Sequence, residues 1–512
     1  MTQRPVCLSS LSTLLVVLAH TASAQLISIR TVPIAQGDQF EIFPTNNFGM
    51  GGVSIALADT LLDAFVNPAK GARLGAARFV SAPTAYGISR GAGGGRTLPL
   101  AAMARSGAWY GGLSLALQEV DASQPPHDGG IVLTEPPLPS VAPVAPAPTL
   151  PPRQNSYGNQ YAFAMLGRKA SGAGLSLAGS ALWARLTGVD GVDLLYAGSA
   201  GLKQFGHALD LRLGLLKEWM GDRSLEAVVL HNRFAMTHDV GYVDQFWDPG
   251  TQQFSVRPRL EHNHDQTNTW GLHLVYVRPL AASGWRVGWL ATVNRMSHPK
   301  LPEYELANVP VIPRDPGRSS AYNIGIGFSK TRGPAVFGID AIYEPIWSYT
   351  WADAASPVAT TLGDTIPVGG KTVENRFRFS NGLVRMGFSR DVELGPLGRA
   401  AGLQLGLIVR SVHYRLGQHD NVQAAARTLN ETWFEWTPTW GLSLRFPDLE
   451  IRYRGRITHG TGRPGVQQSP VFLAGRDAAL AAGGILVAPT GPLSLQEVGI
   501  TTHQISVSLP LR

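Results

Sequence analysis

The sequence has little charge, one cysteine and no long hydrophobic run. Asp, Glu, Lys and Arg make up 15% of the 512 residues, against roughly 25% in soluble proteins, which disfavours an ordinary soluble protein. Hydrophobic residues reach 44% and the net charge is only +7, which excludes a disordered chain, because disorder requires low hydrophobicity and high net charge. The single cysteine, Cys7, excludes a disulfide framework and a cysteine-based zinc site. No stretch of 18 consecutive apolar residues occurs, so no transmembrane helix is expected.

The first residues have the composition of an export signal. Arg4 is the only charge among residues 1–24, an apolar core follows at 8–19, and the small residues at 22–24 fit an A-x-A cleavage site. The apolar core is too short to cross a bilayer, which takes about 20 residues. We therefore expect residues 1–24 to be a signal peptide and the mature chain to begin at Gln25.

Short stretches of alternating apolar and polar residues recur along the rest of the chain. From Trp433 to Phe446 the apolar residues fall on one face and the polar residues on the other. A period of two is typical of a β-strand with one apolar and one polar side. The same pattern occurs at 113–117, 209–215, 322–328, 403–409, 449–459 and 505–511. The sequence therefore predicts an all-β protein.

The connections between these stretches are alternately short and long. Tight turns are predicted at 220–222, 281–284, 331–334 and 395–398. Long loops are predicted at 121–157, 196–205, 235–265, 298–318, 351–373, 417–430 and 460–496. Short turns on one side and long loops on the other are typical of an outer-membrane barrel. We predict a transmembrane antiparallel β-barrel of 14–16 strands over residues 76–512. Sixteen strands agree best with the alternation of short turns and long loops.

A soluble all-β protein is the alternative to a membrane barrel. A propeller has a repeat of roughly 40–50 residues, and no such repeat is found. A set of sandwich domains needs linkers, and the only linker-like segment is 121–157, with ten prolines. The strand pattern continues unchanged on both sides of it, so we interpret it as a Pro-rich outer loop. The barrel is therefore the favoured fold.

Residues 25–75 do not share the alternation. About fifty residues before the first strand, compact and rich in small and apolar side chains, are interpreted as a plug inside the barrel. The motifs in this segment are Gly49-x-Gly51-Gly52-x-Ser54, then Ala58-Asp59, then Asn67-Pro68-Ala69.

These motifs resemble the N-terminal hatch of FadL-type long-chain fatty-acid transporters of the outer membrane. The shared motifs lie within about residues 46–75, and the alternating strand pattern extends the resemblance loosely over the rest of the chain. It implies that the hatch plugs the barrel, and that hydrophobic ligands pass through the lumen and leave through a lateral opening in the wall. The motif is shared with outer-membrane proteins that serve the type IX secretion system. The function predicted is uptake of hydrophobic or amphipathic small molecules, and the alternative is a non-transporting interaction protein.

The chain departs from the family's pattern at three points. Thr60 stands where many members have a second acid, the C-terminus is Leu511-Arg512 rather than an aromatic residue, and the favoured strand count exceeds the family's fourteen. The expected location is the outer membrane. The expected partners are the barrel-assembly machinery, membrane lipids and a hydrophobic ligand, with other outer-membrane or secreted proteins under the alternative.

Three arginines are candidates for ligand binding. Arg452, Arg454 and Arg456 share one strand face. An arginine that faces lipid costs roughly 2–4 kcal/mol at the membrane centre, so this face is predicted to point into the lumen. There it either attracts carboxylates or phosphates or forms a network with Glu435 and Glu450, and both interpretations stay open.

Two further features are assigned to the same site. Arg376 and Arg378 are predicted to add to the basic lumen. Asn67-Pro68-Ala69 is predicted to form a rigid bend beside the ligand path, because proline fixes φ and removes a donor.

Enzymatic and nucleic-acid-binding functions are not expected. Ser380-Asn381-Gly382 is similar to part of the His-x-Ser-Asn-Gly motif of an outer-membrane phospholipase, but Arg378 stands at the histidine position and cannot act as a base at neutral pH. The stretch 261–265 has two histidines flanked by acids, which could bind a metal, yet solvated histidines are the favoured interpretation. No metal and no cofactor are expected. The basic residues are dispersed along the chain, which disfavours nucleic acid.

Overall fold

A computed structural model of the chain is a closed antiparallel β-barrel with a segment inside it. The structure describes residues 26–511 apart from 32, 36, 38, 123–131, 135–148, 153, 171, 194–195, 197–198, 249, 281–282, 299–315, 355–356, 395–399 and 465–494. The predicted signal peptide lies outside the described residues, as do most of the predicted loops at 121–157, 298–318 and 460–496.

Nearly all of the regular structure is strand. The short helix α1 spans Asp63–Val66, and 3-10 turns span Phe48–Met50 and Pro68–Arg73. The strands are β1 (Ala77–Ser81), β2 (Thr84–Ile88), β3 (Gly94–Ser106), β4 (Trp109–Asp121), β5 (Val132–Thr134), β6 (Ser156–Ala170), β7 (Leu175–Leu186), β8 (Gly201–Trp219), β9 (Arg223–Asp248), β10 (Gln253–Leu280), β11 (Trp285–His298), β12 (Gly317–Arg332), β13 (Ala335–Asp353), β14 (Val358–Ala359), β15 (Thr365–Ile366), β16 (Lys371–Glu393), β17 (Ala400–Asp420), β18 (Ala425–Arg445), β19 (Glu450–Pro464) and β20 (Leu495–Leu511).

Sixteen antiparallel strand positions close the barrel. β1 and β2 lie end to end and fill one position, because both pair with β3 on one side and with β20 on the other. Consecutive strands pair around the rest of the ring, while β5 adds in parallel to β9 and β14 pairs only with β15. The predicted all-β barrel is confirmed, with the strand number at the upper end of the predicted range.

The two faces of the strands are inverted relative to a soluble protein. On β4, Leu113, Leu115 and Leu117 are 67%, 64% and 62% exposed, whereas Ser114 and Gln118 are 5% and 4% exposed. Apolar side chains on the outside and polar side chains on the inside are stable when lipid surrounds the outer face. The strands therefore span a membrane. No helix among the described residues has the length and apolar character that a membrane crossing requires.

Three predicted outer loops are strand over about half of their length or more. β9 and β10 continue through 235–265, and β17 and β18 leave only 421–424 between them. β8 begins at Gly201, so about half of the predicted loop at 196–205 is strand as well. These extensions lie at the long-loop end of the barrel. Outward side chains there do not face lipid, so the apolar alternation that marks a spanning strand is lost.

Candidate functional site in the barrel lumen

The described residues between 26 and 73 contact the inner face of the barrel on opposite walls. Gly51 N–H donates to Thr439 Oγ1 of β18 at 2.9 Å, and Asn67 Nδ2 donates to Leu215 O of β8 at 3.4 Å. β8 and β18 stand on opposite sides of the ring. We call residues 26–43 of this segment the strap and residues 45–73 the anchor, because different contacts hold them.

Asp59 holds the anchor together. Its side chain is 1% exposed. Because hydrogen bonds to a carboxylate are roughly twice as strong as neutral ones, this one side chain closes the loop between the glycine-rich run and α1. The sequence motif includes Asp59 but does not assign this role to it. Its donors, at 2.5 to 3.1 Å, are the Thr45 hydroxyl and the backbone N–H groups of Asn46, Asn47, Leu61 and Leu62.

A row of glycines on the inner face of the wall receives the anchor. Gly338, Gly387 and Gly406 are neighbours across β13, β16 and β17. A Cβ at Gly387 would lie 2.3 Å from Met50 O, and a Cβ at Gly406 would lie 2.4 Å from Gly51 N. Atoms overlap at such distances, so only glycine lets the two backbones approach this closely. The anchor is therefore docked backbone to backbone on this wall.

Asn67-Pro68-Ala69 begins the 3-10 turn that ends at Arg73. Asn67 Oδ1 accepts a hydrogen bond from Ala69 N–H at 3.1 Å and caps the turn. Pro68 occupies the first position, where its missing N–H costs nothing. A Cβ at Gly214 of β8 would lie 2.2 Å from Asn67 Oδ1. These residues fix the anchor to the wall opposite the glycine row, and their role beside a ligand path stays a prediction.

A buried charge cluster joins the anchor to β9. Lys70 Nζ lies 2.9 Å from Asp63 Oδ1 and 3.1 Å from Glu226 Oε1. Asp63 is not on a barrel strand. Burial raises the pKa of its carboxyl group to about 6, and the Lys70 ammonium opposes this shift. An enclosed cavity of about 60 Å³ lies beside the cluster and is also lined by Asp59 and His273. It has room for a few water molecules.

The three arginines of β19 point into the lumen, and each has a protein partner there. A network with Glu450 is one of the two predicted interpretations, and it applies to Arg452. Arg456 instead pairs with the strap, so its environment depends on where the strap lies. The partners are Glu450 for Arg452, Gln504 and Ser506 for Arg454, and Glu41 for Arg456.

Arg376 and Arg378 point outward, and the prediction that they add to the basic lumen is wrong. Phe377 and Phe379 take the inward positions of β16 and are 1% and 4% exposed, whereas both arginines are exposed. The alternation does not show which face is inward here, because this part of β16 lies towards the long loops, where polar side chains are tolerated on the outside.

An apolar cluster lines the lumen at its long-loop end. Ile27 and Ile29 of the strap pack on it. The strap therefore covers an apolar surface inside the barrel. We call this surface the inner apolar cluster, and its wall residues, from β11, β12, β13, β16 and β17, are Met296, Ala321, Ile346, Phe377, Phe379, Val412, Tyr414 and Leu416.

The strap is held at the same end by separate polar contacts. Arg30 forms a buried ion pair with Glu435 at 2.6 Å. Ala35 N–H donates to Gly462 O of β19 at 2.7 Å, beside the isolated bridge of Ile34. Apart from this bridge, the described residues of the strap form no helix or strand. The sequence carries no local signal for these contacts, because their partners are hundreds of residues apart.

A groove opens on the outside of the barrel where the first strand is interrupted. Pro83 lies between β1 and β2, and Pro99 lies on the neighbouring β3, so backbone donors are missing on two adjacent strands. The groove has a volume of about 560 Å³ and is lined in part by Leu98, Leu117 and Ile505. Fewer hydrogen bonds therefore join the strands of the wall at this groove.

The histidines of 261–265 have partners of other kinds. His262 Nδ1 lies 2.7 Å from Asp239 Oδ1, and His264 Nδ1 lies 2.8 Å from Thr237 Oγ1. Within the described part of the chain, no three metal-ligating side chains are grouped closely enough to hold an ion. These contacts join β9 to β10.

The closed ring, the inverted faces and the filled lumen define a transmembrane β-barrel of the outer-membrane type. No protein-family model and no curated protein sequence matches the chain. Among solved structures the chain is similar to a Pseudomonas aeruginosa FadL homologue, with 13% identity and a TM-score of 0.44, over 93% of this chain and 100% of that one.

Two further solved structures are similar to it. The toluene transporter TodX of Pseudomonas putida has 10% identity and a TM-score of 0.39, over 94% of this chain and 99% of that one. The FrpB iron transporter of Neisseria meningitidis has 10% identity and a TM-score of 0.32, over 87% and 83%. Likenesses at this level carry no functional argument, so the function is argued from this chain's own residues.

Proposed function

We propose that the protein takes up hydrophobic or amphipathic small molecules, such as long-chain fatty acids, through its lumen. The observation that carries the proposal is the inner apolar cluster, which lines the long-loop end of the lumen and contacts the strap. A pore for polar solutes has a polar, water-filled interior, whereas eight inward apolar side chains form a surface that favours an apolar ligand. Under this proposal the protein lies in the outer membrane without residues 1–24, and residues 25–75 are its plug.

Ile27 and Ile29 occupy the place that an acyl chain would take. Burying one such side chain contributes about 1.5–3 kcal/mol, and each CH₂ group of an acyl chain contributes about 0.8 kcal/mol. Burial of a few CH₂ groups of the ligand therefore offsets the free energy of burial that is lost when Ile27 and Ile29 leave the cluster. For the apolar contacts alone the two states then differ little in free energy, and a ligand shifts the population between them. The anchor stays docked on the wall during this exchange.

A carboxylate head group has a partner in Arg456. Glu41 of the strap pairs with this guanidinium, so displacement of the strap makes room there for the carboxylate of the ligand. Arg452 and Arg454 add positive potential on the same face. Changing all three arginines to glutamine should weaken binding of a fatty acid more than binding of the matching fatty alcohol. Equal losses for the two ligands, measured on purified protein, would remove the head-group role.

The groove beside Pro83 is the proposed exit into the membrane. Its lining by Leu98, Leu117 and Ile505 suits an acyl chain, and its volume of about 560 Å³ is within the usual range of small-molecule sites. The interrupted first strand lowers the cost of opening the wall here, because fewer ladder hydrogen bonds cross it. A lateral exit is also what the resemblance to FadL-type transporters implies.

The alternative function, a non-transporting interaction protein, is favoured by a different observation. Phe254 and Val256 near the start of β10 are 56% and 63% exposed, and Leu362 and Val368 around β14 and β15 are 75% and 63% exposed. Exposed apolar side chains that do not face lipid are a feature of protein-binding surfaces. These residues do not line the lumen, so the two functions can be tested separately.

Two double variants separate these functions. Phe377→Asn with Phe379→Asn makes the inner apolar cluster polar and should lower uptake of labelled oleate by cells that express the protein. Phe254→Asn with Val256→Asn makes the same kind of change outside the lumen and should leave uptake at the parent level. The heat-dependent shift in electrophoretic mobility, which reports a folded barrel, controls for assembly in both. Parent-level uptake in the first variant would overturn the proposal.

A further inference from the structure

Six exposed arginines form two rows on the outer face of the barrel between β9 and β17. The rows are two residues apart along each strand, so they lie on the same face. The strand register of the first row runs through Arg233, Asn268, Ser297, Arg318, Tyr349 and Arg376. The strand register of the second row runs through His231, Trp270, Arg295, Ser320, Trp347, Arg378 and Arg415.

The arginine rows lie at the edge of the apolar belt. Trp270 and Trp347 of the second row are 60% and 50% exposed, and the next outward residues towards the short turns include Leu272 and Val293, each 42% exposed. In the other direction the strands lead to the long loops. Exposed tryptophans at such a boundary are typical of the membrane–water interface. The rows therefore lie at the depth of the lipid headgroups on the long-loop side.

The described residues leave the positive charge of the arginine rows without a partner in an ion pair. None of the six guanidinium groups forms an ion pair with a described residue. The neighbouring acid on β16, Glu374, is close enough to Arg376 to attract it, but its direct contacts are with Lys371 and the Tyr349 hydroxyl. Arg378 and Arg415 stand directly opposite each other on β16 and β17, a placement that is destabilising for like charges. An anion from outside the chain would remove this repulsion.

An exposed arginine at the same end of β3 is balanced. Arg96 Nε lies 2.9 Å from Glu119 Oε2 of β4, and Arg96 Nη2 lies 3.7 Å from Asp121 Oδ1. Where the chain supplies acids, the arginine is neutralised within the wall. Among the described residues, no acid forms such an ion pair with the arginine rows, which points to a ligand.

We propose that the arginine rows bind phosphate-bearing lipid headgroups of the leaflet on the long-loop side. A guanidinium group donates two parallel hydrogen bonds to phosphate oxygens. Neighbouring strands lie about 4.8 Å apart, and this distance sets the spacing of the arginines within a row. This spacing suits a headgroup with two or more phosphates. The apolar belt below the rows receives the acyl chains of the same lipid, which a soluble anion does not have. The inference does not depend on transport.

The test uses lipid A, a glycolipid with two phosphates, and its dephosphorylated form as probes. Native mass spectrometry of the full-length protein in detergent measures the affinity for each. The triple variant Arg318→Gln, Arg378→Gln, Arg415→Gln should lose at least about tenfold in affinity for the phosphorylated probe. Its affinity for the dephosphorylated probe should match the parent's. Because all three side chains are exposed, the barrel should still fold, which heat-dependent mobility checks.

A matched variant removes the same charge from the other end of the barrel. Arg223, Arg332 and Arg390 are exposed near the short turns, and their change to glutamine should alter affinity for the phosphorylated probe by less than about twofold. Equal losses in the two triple variants would mean that net charge, not the arginine rows, sets the affinity. Displacement of the probe by an equimolar amount of inorganic phosphate would mean a site for soluble anions. Either result overturns the proposal.

Discussion

The anchor and the strap are two parts of one segment inside the same barrel, yet different forces hold them. The anchor lies backbone to backbone on wall glycines, and Asp59 closes its loop with five hydrogen bonds. The strap forms no helix or strand among its described residues. Ile27 and Ile29 pack on the inner apolar cluster, Arg30 pairs with Glu435, and the Gln39 side chain forms hydrogen bonds with the backbone of Gly188 and Asp190.

The difference indicates how one segment can be both fixed and displaceable. Contact between a backbone and a glycine wall is specific in shape, and no ligand can replace it. Apolar contact is non-directional, so an acyl chain can take the place of an isoleucine. In the proposed uptake the strap moves and the anchor does not.

Deletion of residues 25–75 should have the largest effect. Apart from the isolated bridge of Ile34, the barrel ladder does not involve them, so the barrel still closes. A sixteen-stranded barrel without its plug leaves an aqueous channel, and its conductance in a planar bilayer should rise to that of an open pore. Deletion of residues 25–43 alone leaves the anchor across the lumen, so conductance should stay near that of the intact protein. Equal conductance of the two deleted forms would abolish the distinction between strap and anchor.

Gly406→Ala should weaken the docking of the anchor on the wall. The added Cβ meets Gly51 N at 2.4 Å, and overpacking of this kind costs about 1–3 kcal/mol. Gly417 lies on the same strand with nothing within 4 Å of an added Cβ, so Gly417→Ala is the matched control. The midpoint of heat-induced unfolding in detergent should fall for the first variant only. The same midpoint for both would mean that the glycine row does not fix the anchor.

Asp59→Asn should loosen the anchor and leave the strap unchanged. One carboxylate oxygen becomes an NH₂ group that cannot accept the bonds it replaces, a loss of about 1–3 kcal/mol. Amide hydrogen exchange at Asn47 and Leu62 should speed up. The exchange rate at Ala35 should stay the same, and a faster rate there would show that strap and anchor open as one unit.

Pro68→Ala should have the smallest effect. The proline restricts the unfolded chain, and its loss costs about 0.4–1 kcal/mol. Asn67 still caps the 3-10 turn and still lies on Gly214, so the turn should persist. Slightly faster amide exchange at Arg73 is the expected result. A loss of the turn, seen as complete exchange there, would give Pro68 a larger role than the wall contacts.

The barrel could be predicted from the sequence because the bilayer imposes a rule on it. Lipid requires apolar side chains on the outside of each spanning strand, and the polar lumen makes the other face different, as in 433–446. Beyond the lipid this rule no longer applies. The sequence therefore predicts a loop at 235–265, where the structure has strand, and it places Arg376 and Arg378 on the wrong face.

Less of the candidate site could be predicted. The resemblance singled out Asp59 and Asn67 by motif, but the motif does not say what they bind. Gly387 and Gly406 look in the sequence like ordinary weak points of a strand, because their role exists only once the anchor lies on them. The ion pair of Arg30 and Glu435 joins residues 405 positions apart, and no local pattern predicts such a contact.

Two engineered disulfides test most directly whether the strap moves and the anchor stays. Ile34→Cys with Gly462→Cys joins the strap to β19 at their bridge. Val53→Cys with Gly338→Cys joins the anchor to β13, where a Cβ at Gly338 would lie 3.4 Å from Val53 Cβ, close to the usual disulfide range. Cys7, in the predicted signal peptide, is the only native thiol.

The measurement is uptake of labelled oleate by cells that express each double variant, before and after reduction. The account predicts that the oxidised strap pair abolishes uptake and that reduction restores it, whereas the oxidised anchor pair takes up oleate at the parent rate. Parent-rate uptake with the strap locked, or loss of uptake with the anchor locked, would contradict the account.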